Sequence, residues 1–184
     1  MKSTVYTCMI VVIILFIGCG GPSEPKVYTH EQAMFSVTCP AGWSLISQDA
    51  EMYEFRKGDV KLIEVGGFDF GMTEEDFADM SDADFKDFMR EASLGGLEGY
   101  CEEAEIRDWT IDEQYHATWG GLQSYRIHAK GFSDAADVNM VIDLIAAVNM
   151  DSGLLYMFAS QIAHDQYSST KTDVEAVIQS FRVN

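Results

Sequence analysis

Positive charge is what this chain has least of: 12 Lys and Arg stand against 30 Asp and Glu, a formal charge of −18 on 184 residues. Phosphate backbones require a basic face, so nucleic acid is excluded as a partner, and anionic headgroups would repel the same surface. Cysteine is scarce, with 4 residues and no Cys-x-x-Cys, which argues against redox catalysis. No Gly-x-Ser-x-Gly marks a nucleophile elbow. The glycines of Gly95-Gly96-Leu97-Glu98-Gly99 lack the Lys-Ser/Thr that binds phosphate. They read as a helix stop and loop. His30, His116, His128 and His164 are scattered, without the spacing of metal ligands, and read as structural or exposed. No apolar run reaches the roughly 20 residues that a spanning helix needs. There is no internal repeat and no low-complexity tract. What remains is 47% hydrophobic and 12% aromatic, enough apolar material for one ordinary domain and too much for general disorder.

The N-terminus carries a positive residue, Lys2, then an apolar run from Val5 to Ile17 in which only Thr7 is clearly polar. Gly18 to Gly21, Pro22, Ser23, Glu24 and Pro25 end it. Charge and length match a secretory segment removed on export. Leu15-Phe16-Ile17-Gly18-Cys19 resembles the cleavage site of a bacterial lipoprotein, although Phe16 and Ile17 depart from the usual pattern. That resemblance implies a signal peptide over residues 1–18, a lipid on Cys19, and a tether over 19–26 whose glycines and prolines discourage regular structure. Cleavage after the small pair Gly18 and Gly20, or an uncleaved anchor, are the alternatives. Gly20 in place of Asp after the cysteine follows the outer-membrane sorting pattern of enteric lipoproteins. Cys8 leaves with the signal, so Cys39 and Cys101 remain. They are either a disulfide in an oxidising compartment or two buried thiols.

Along residues 27–184 the spacing predicts a strand from Val27 that ends with Phe35 to Cys39, stopped by Pro40 and Gly42. Met52–Arg56 and Val60–Val65 read as a hairpin around Lys57-Gly58-Asp59. Thr73 caps one helix with Phe77, Met80, Phe85, Phe88, Met89 and Ala92 on its apolar face, ending at Gly95 and Gly96. Ala104–Thr110, Gln114–Thr118 and Leu122–Phe132 read as extended, with Gly120-Gly121 as a turn. Val138–Asn149 and Leu154–Ile162 are apolar on both faces, which predicts a central hairpin covered on each side. Tyr167, Thr170, Val174, Val177, Ile178 and Phe181 mark a C-terminal amphipathic helix before a short strand. The expected class is α+β: a largely antiparallel sheet packed against two main helices.

Phe35-Ser36-Val37 with Pro40-Ala41-Gly42-Trp43, Gly120-Gly121-Leu122, and Ile178-Gln179-Ser180-Phe181 together resemble the PsbP-like fold family. That family includes photosystem extrinsic subunits, a Ran-binding nuclear import factor and bacterial lipoproteins such as the DcrB-like ones. The resemblance implies a non-enzymatic binding or assembly module with no cofactor, and it carries over no site residue.

The densest acidic segment, Glu74 to Glu91, reads as a solvated helix face. Asp82-x-Asp84 begins like a calcium loop, but the glycine that such a loop needs for its sharp turn is missing. Met140, Met150 and Met157 fall on or beside the apolar hairpin, as core filler or as an adaptable binding surface. Trp43, Trp109 and Trp119 read as packing residues before ligand-stacking ones. The expectation is a lipid-anchored module in the cell envelope, bound to the membrane through Cys19 and to a protein partner through its surface. A small periplasmic hydrolase and a calcium-dependent adhesion or scaffold module are the alternatives.

Overall fold

A computed structural model describes residues 24–59 and 61–184. The signal segment, Cys8 and Cys19 lie outside the described residues. Two sheets carry the architecture. The larger is antiparallel with seven strands in the order β3 (Ser44–Gln48), β4 (Met52–Arg56), β5 (Lys61–Asp69), β9 (Leu154–Ala163), β8 (Val138–Asn149), β7 (Leu122–Ser133) and β6 (Ile106–Trp119). The smaller joins β1 (Lys26–His30), β2 (Phe35–Cys39) and β10 (Arg182–Val183). On one face of the large sheet lie helices α1 (Glu74–Ala78) and α2 (Asp82–Glu103). On the other lie α3 (His164–Ser180) and the small sheet.

Strand β8 shows why the centre is doubly covered. Ile145 and Ala147 join the core under α3, whereas Ile142, Leu144, Ala146 and Val148 join the core under α2. Period-two alternation thus sends apolar side chains into both cores. The predicted central hairpin forms, with β8 and β9 paired from Met140↔Ala163 to Asn149↔Leu154.

The family landmarks meet in one cluster. Phe181 stacks on Trp119 with ring centroids 3.9 Å apart and touches Phe35 at 5.7 Å. Trp119 Nε1 donates to the Ile178 carbonyl at 2.9 Å, and Thr38 N donates to Ser180 Oγ at 2.8 Å. Gly120 has φ +60°, and a Cβ there would stand 2.6 Å from the Phe181 ring. Only glycine fits that turn.

Four expectations need correction. The first helix is two helices. Ser81 accepts from Asp84 N at 3.2 Å and opens α2 afresh after α1, whose start is tied by Thr73 N donating to Asp76 Oδ2 at 2.7 Å. Gly95 and Gly96 do not stop α2, which runs on to Glu103. Ser93, Leu97 and Cys101 continue its buried stripe, and that packing overrides glycine's poor propensity. The two stretches between 104 and 118 are one strand, β6, with irregular register between Arg107 and Thr110 and between Ile111 and Glu113. Finally, β3 pairs with β4 where no strand was expected, anchored from its neighbour Trp43, whose Nε1 donates to Asp173 Oδ2 at 2.9 Å.

Cys39 and Cys101 are both unbonded. Cys39 belongs to the core under α3 and Cys101 to the core under α2, so the sheet separates them. The disulfide alternative is therefore not the arrangement found. Burial pushes both thiols up to about 11, which leaves them inert toward exchange at neutral pH.

Candidate binding surface

Two places on the large sheet gather polar chemistry inside apolar surroundings, one on each face. Under α3, three neighbouring strands place His128, Asp143 and Ser160 in one row, through the pairs His128↔Asp143 and Asp143↔Ser160. Asp143 is 1% exposed. Its carboxylate accepts from Tyr167 Oη at 2.8 Å, from Arg126 at 3.3 Å, and lies 3.1 Å from His128 Nδ1. Arg126 reaches on to Glu175 of α3 at 2.7 Å. Burial pushes the Asp143 pKa up, but hydrogen bonds from His128 and Tyr167 and the Arg126 charge outweigh it and hold it below the usual aspartate value. Tyr167 is pushed up, first by burial and then by the Asp143 charge.

This row contains the three residue types of a hydrolytic triad in a different order. Asp143 stands between histidine and serine, so Ser160 pairs across the strands with the acid and not with the base. A triad needs the base in the middle, taking the nucleophile's proton while the acid orients it. Ser160 Oγ is buried without a hydrogen-bond partner among the described residues. A cleft of about 150 Å³ opens beside Asp143, Arg126, His128 and Tyr167. Asp143, Arg126, Tyr167 and Glu175 tie α3 to β7 and β8 as a polar clamp.

The opposite face is different. Helix α2 rests on β6, β7 and β8, and its C-terminal half forms a wall beside β4, β5 and β9. Between wall and sheet lies a cavity of about 340 Å³, lined mainly by apolar surface. Its floor is Met52, Gly66, Phe68, Met157 and Ala159, and its wall is Gly96, Gly99, Tyr100 and Glu103. A second cavity of about 180 Å³ shares Glu64, Tyr100 and Glu103 with it, and a third of about 350 Å³ shares Leu62, Ala104 and Gln161 with the second. The three make one trough along the inner edge of α2.

Residues i, i+3, i+4 and i+7 share one helix face, which is why Gly96, Gly99, Tyr100 and Glu103 line the wall together. A Cβ at Gly96 would come 3.0 Å from Met157 Cε, whereas one at Gly99 would meet nothing within 4 Å. The first glycine lets the helix approach the sheet; the second leaves the trough open. On β5, Gly66 makes room for the Phe68 ring, whose Cζ would lie 2.7 Å from an added Cβ.

The trough's charge is divided, with Glu64 and Glu103 in the apolar cavity and Arg56 and Lys61 in the third. Glu64 faces Glu54 directly across β4 and β5, a like-charge pair that weakens the sheet. Burial pushes the Glu64 pKa up; the neighbouring Tyr100 hydroxyl and the Arg56 charge oppose it, the Glu54 and Glu103 charges add to it, and the balance stays upward. Arg56 ion-pairs with Glu54 at 3.2 Å, and no ion pair reaches Glu64 or Glu103 among the described residues. Tyr100 Oη is buried without a well-formed hydrogen bond, and the carboxylate beside it is that of Glu64.

The acidic face of α1 and α2 assembles no cation site. Asp84 accepts from the Ser81 hydroxyl at 2.6 Å, and Arg90 pairs with Glu91 at 2.9 Å. Among the described residues no three His, Cys, Asp or Glu side chains converge to hold a metal. His30 is structural, with Nδ1 accepting from Ala33 N at 3.2 Å and Nε2 donating to the Asp49 carbonyl at 3.0 Å. No helix among the described residues is long and apolar enough to cross a membrane.

Sequence reasoning found neither place. Asp143 was visible as the lone acid in an apolar strand, but its partners depend on strand register. The trough was hidden because its glycines read as a helix stop.

A seven-stranded antiparallel sheet with a helix on each face and a small sheet closed by the C-terminus defines an α+β architecture that solved structures share. The solution structure of cyanobacterial PsbP (CyanoP) from Synechocystis sp. PCC 6803 matches with a TM-score of 0.62 at 14% identity, over 98% of this chain and 99% of that one. The Saccharomyces cerevisiae Ran-binding protein Mog1p matches at 0.56 and 10% identity, over 88% of this chain and 96% of that one. A Bacteroides thetaiotaomicron protein matches at 0.55 and 12% identity, over 88% of this chain and 49% of its own length. No family model and no curated protein matches the chain. The chain has the PsbP-like fold.

Proposed function

We propose that this protein is a non-catalytic, protein-binding module of the bacterial cell envelope, held beside a membrane by a lipid on Cys19. The observation that carries the binding half is the trough: an apolar sheet face that the fold's own helix walls but does not cover. Buried apolar surface drives association, and a concave apolar surface with a few polar groups is the usual form of a binding site. The fold is shared with a Ran-binding protein, so protein recognition is compatible with it. The His128–Asp143–Ser160 order supports the non-catalytic reading over a hydrolase. The anchoring half rests on Leu15 to Cys19 and on the Gly20 to Lys26 tether. At no more than about 3.3 Å per residue that tether keeps the domain close to the bilayer, and confinement raises its effective concentration for a membrane-associated partner.

The test is a crosslinking pull-down of the full chain from its native envelope, beside Cys19→Ala and the trough-filling variant Gly99→Phe. A partner enriched with the wild type and reduced with each variant is the expected result. Membrane retention of Cys19→Ala would overturn the lipid anchor. A partner captured equally by Gly99→Phe would overturn the trough.

A further inference from the structure

Resting on the protein-binding reading, we infer that the trough takes a basic side chain, Lys or Arg, projecting from an apolar segment of the partner, with Glu64 as the residue that receives it. Charge complementarity names the occupant. Glu64 and Glu103 bring two carboxylates to one apolar cavity, Glu54 faces Glu64 across the strands behind it, and the nearby Arg56 is committed to Glu54. An acid this placed is costly to the free protein, since like charges face each other across the strands. A cation seated beside it converts that repulsion into a charge-assisted hydrogen bond. The Tyr100 hydroxyl in the same wall sits beside Glu64 and keeps an acceptor lone pair free for a second ammonium or guanidinium hydrogen. The apolar floor, Met52, Phe68 and Met157, suits the methylene stem and the residues flanking it.

The arrangement also excludes alternatives. A carboxylate or phosphate in the cavity of about 340 Å³ would meet Glu64 and Glu103, because the trough's cations, Arg56 and Lys61, line only its far third cavity. A wholly apolar segment would fill the floor and leave Glu64 buried with only the Tyr100 hydroxyl and no cation in contact, which costs more than leaving it hydrated. Specificity for a base therefore comes from penalising its absence as much as from attraction.

The test places a benzoylphenylalanine photocrosslinker at Met52, on the trough floor, and separately at Val27 on the small sheet, in the full lipidated chain in cells. Crosslinked partner peptides are sequenced by mass spectrometry, with and without Glu64→Gln and Glu64→Lys. The expected result is an adduct at position 52 and not at 27, on a peptide with Lys or Arg among apolar residues. Its yield falls about tenfold in Glu64→Lys and less in Glu64→Gln, the scale of a desolvated charge contact. Because Glu64→Gln is nearly isosteric and removes a repulsion, it keeps the test valid should Glu64→Lys fail to fold. An adduct at 52 whose peptide has no base, or whose yield ignores both variants, overturns the basic-segment inference while the trough stands. Adducts at 27 alone overturn the trough. No protein adduct at either position overturns the protein-binding reading itself.

Discussion

Asp143 and Glu64 lie on opposite faces of one sheet, and their surroundings push them in opposite directions. Asp143 is the more deeply buried, yet two hydrogen bonds and an arginine hold its pKa down. Glu64 keeps some solvent contact, yet burial and two neighbouring carboxylates push its pKa up. Burial alone would have ranked them the other way. What separates them is whether the fold supplies a cation: Arg126 and His128 reach the first acid, with Tyr167 from α3 beside it, while α2 brings the second a tyrosine, two glycines, another acid and, among the described residues, no ion pair. The acid of the first face is neutralised within the chain, and that of the second borders an open cavity.

The largest effect that could break this comparison belongs to Asp143. Asp143→Ala strands Arg126, His128 and the Tyr167 hydroxyl under α3, and should cost about 3–5 kcal/mol of stability, the range for breaking a buried ion pair. A group whose folded pKa is depressed contributes stability that is present above its unfolded value, about 3.9 for Asp, and lost as pH falls through the folded one. Urea titrations of wild type from pH 7 downward should therefore show stability falling below about pH 4. Part of that fall should be missing in Asp143→Ala. A cost under about 1 kcal/mol would mean that the clamp is ornamental, since exposed pairs lie in that range.

Gly95 and Gly99 offer a smaller and sharper test. Both are helical, and a Cβ at either meets nothing within 4 Å, so Ala at each should raise stability by about 0.5–1 kcal/mol. Only Gly99 lines the trough. Thermal melts should show similar gains for the two variants, and partner capture should fall for Gly99→Ala alone. Equal capture would show that α2 tolerates its glycines for a reason other than the opening.

The two faces also differed in how far they could be read in advance. Alternation in β8 and β9 exposed the double burial, because a period of two needs no knowledge of neighbours. Phe35, Trp43, Gly120 and Phe181 were readable as landmarks of one fold, and the structure packs Phe35, Gly120 and Phe181 around Trp119. Local signals failed where tertiary packing decided the outcome. Gly95 and Gly96 carry a real propensity penalty, and Leu97 and Cys101 overcome it only by entering a core that the sheet provides. Asp143 needed the β7–β8 register to find His128, and that register is closed by the turn over 134–137, between Ser133 and Val138. The trough was the least legible of all, being a space between elements distant in the chain.

The smallest effect bears most directly on what the second face is for. A carboxylate with a raised folded pKa contributes stability that is fully present below its unfolded value, about 4.3 for Glu, and lost as pH rises through the folded one. Wild type should accordingly lose a little stability across that window. Glu64→Gln, which cannot ionise, should lack this loss and be more stable at pH 7 by up to about 1 kcal/mol, the scale of a cross-strand like-charge pair. The measurement is a pair of urea titrations at intervals from pH 4 to 8, the difference between the two proteins growing with pH. Taken with partner capture it separates two explanations of the same acid. A variant that is more stable and binds less places the cost of Glu64 in recognition, whereas one that is more stable and binds as well makes Glu64 an unrelieved defect of the sheet. Equal stability at every pH would mean that water already relieves Glu64, and the contrast with Asp143 would lose its electrostatic basis.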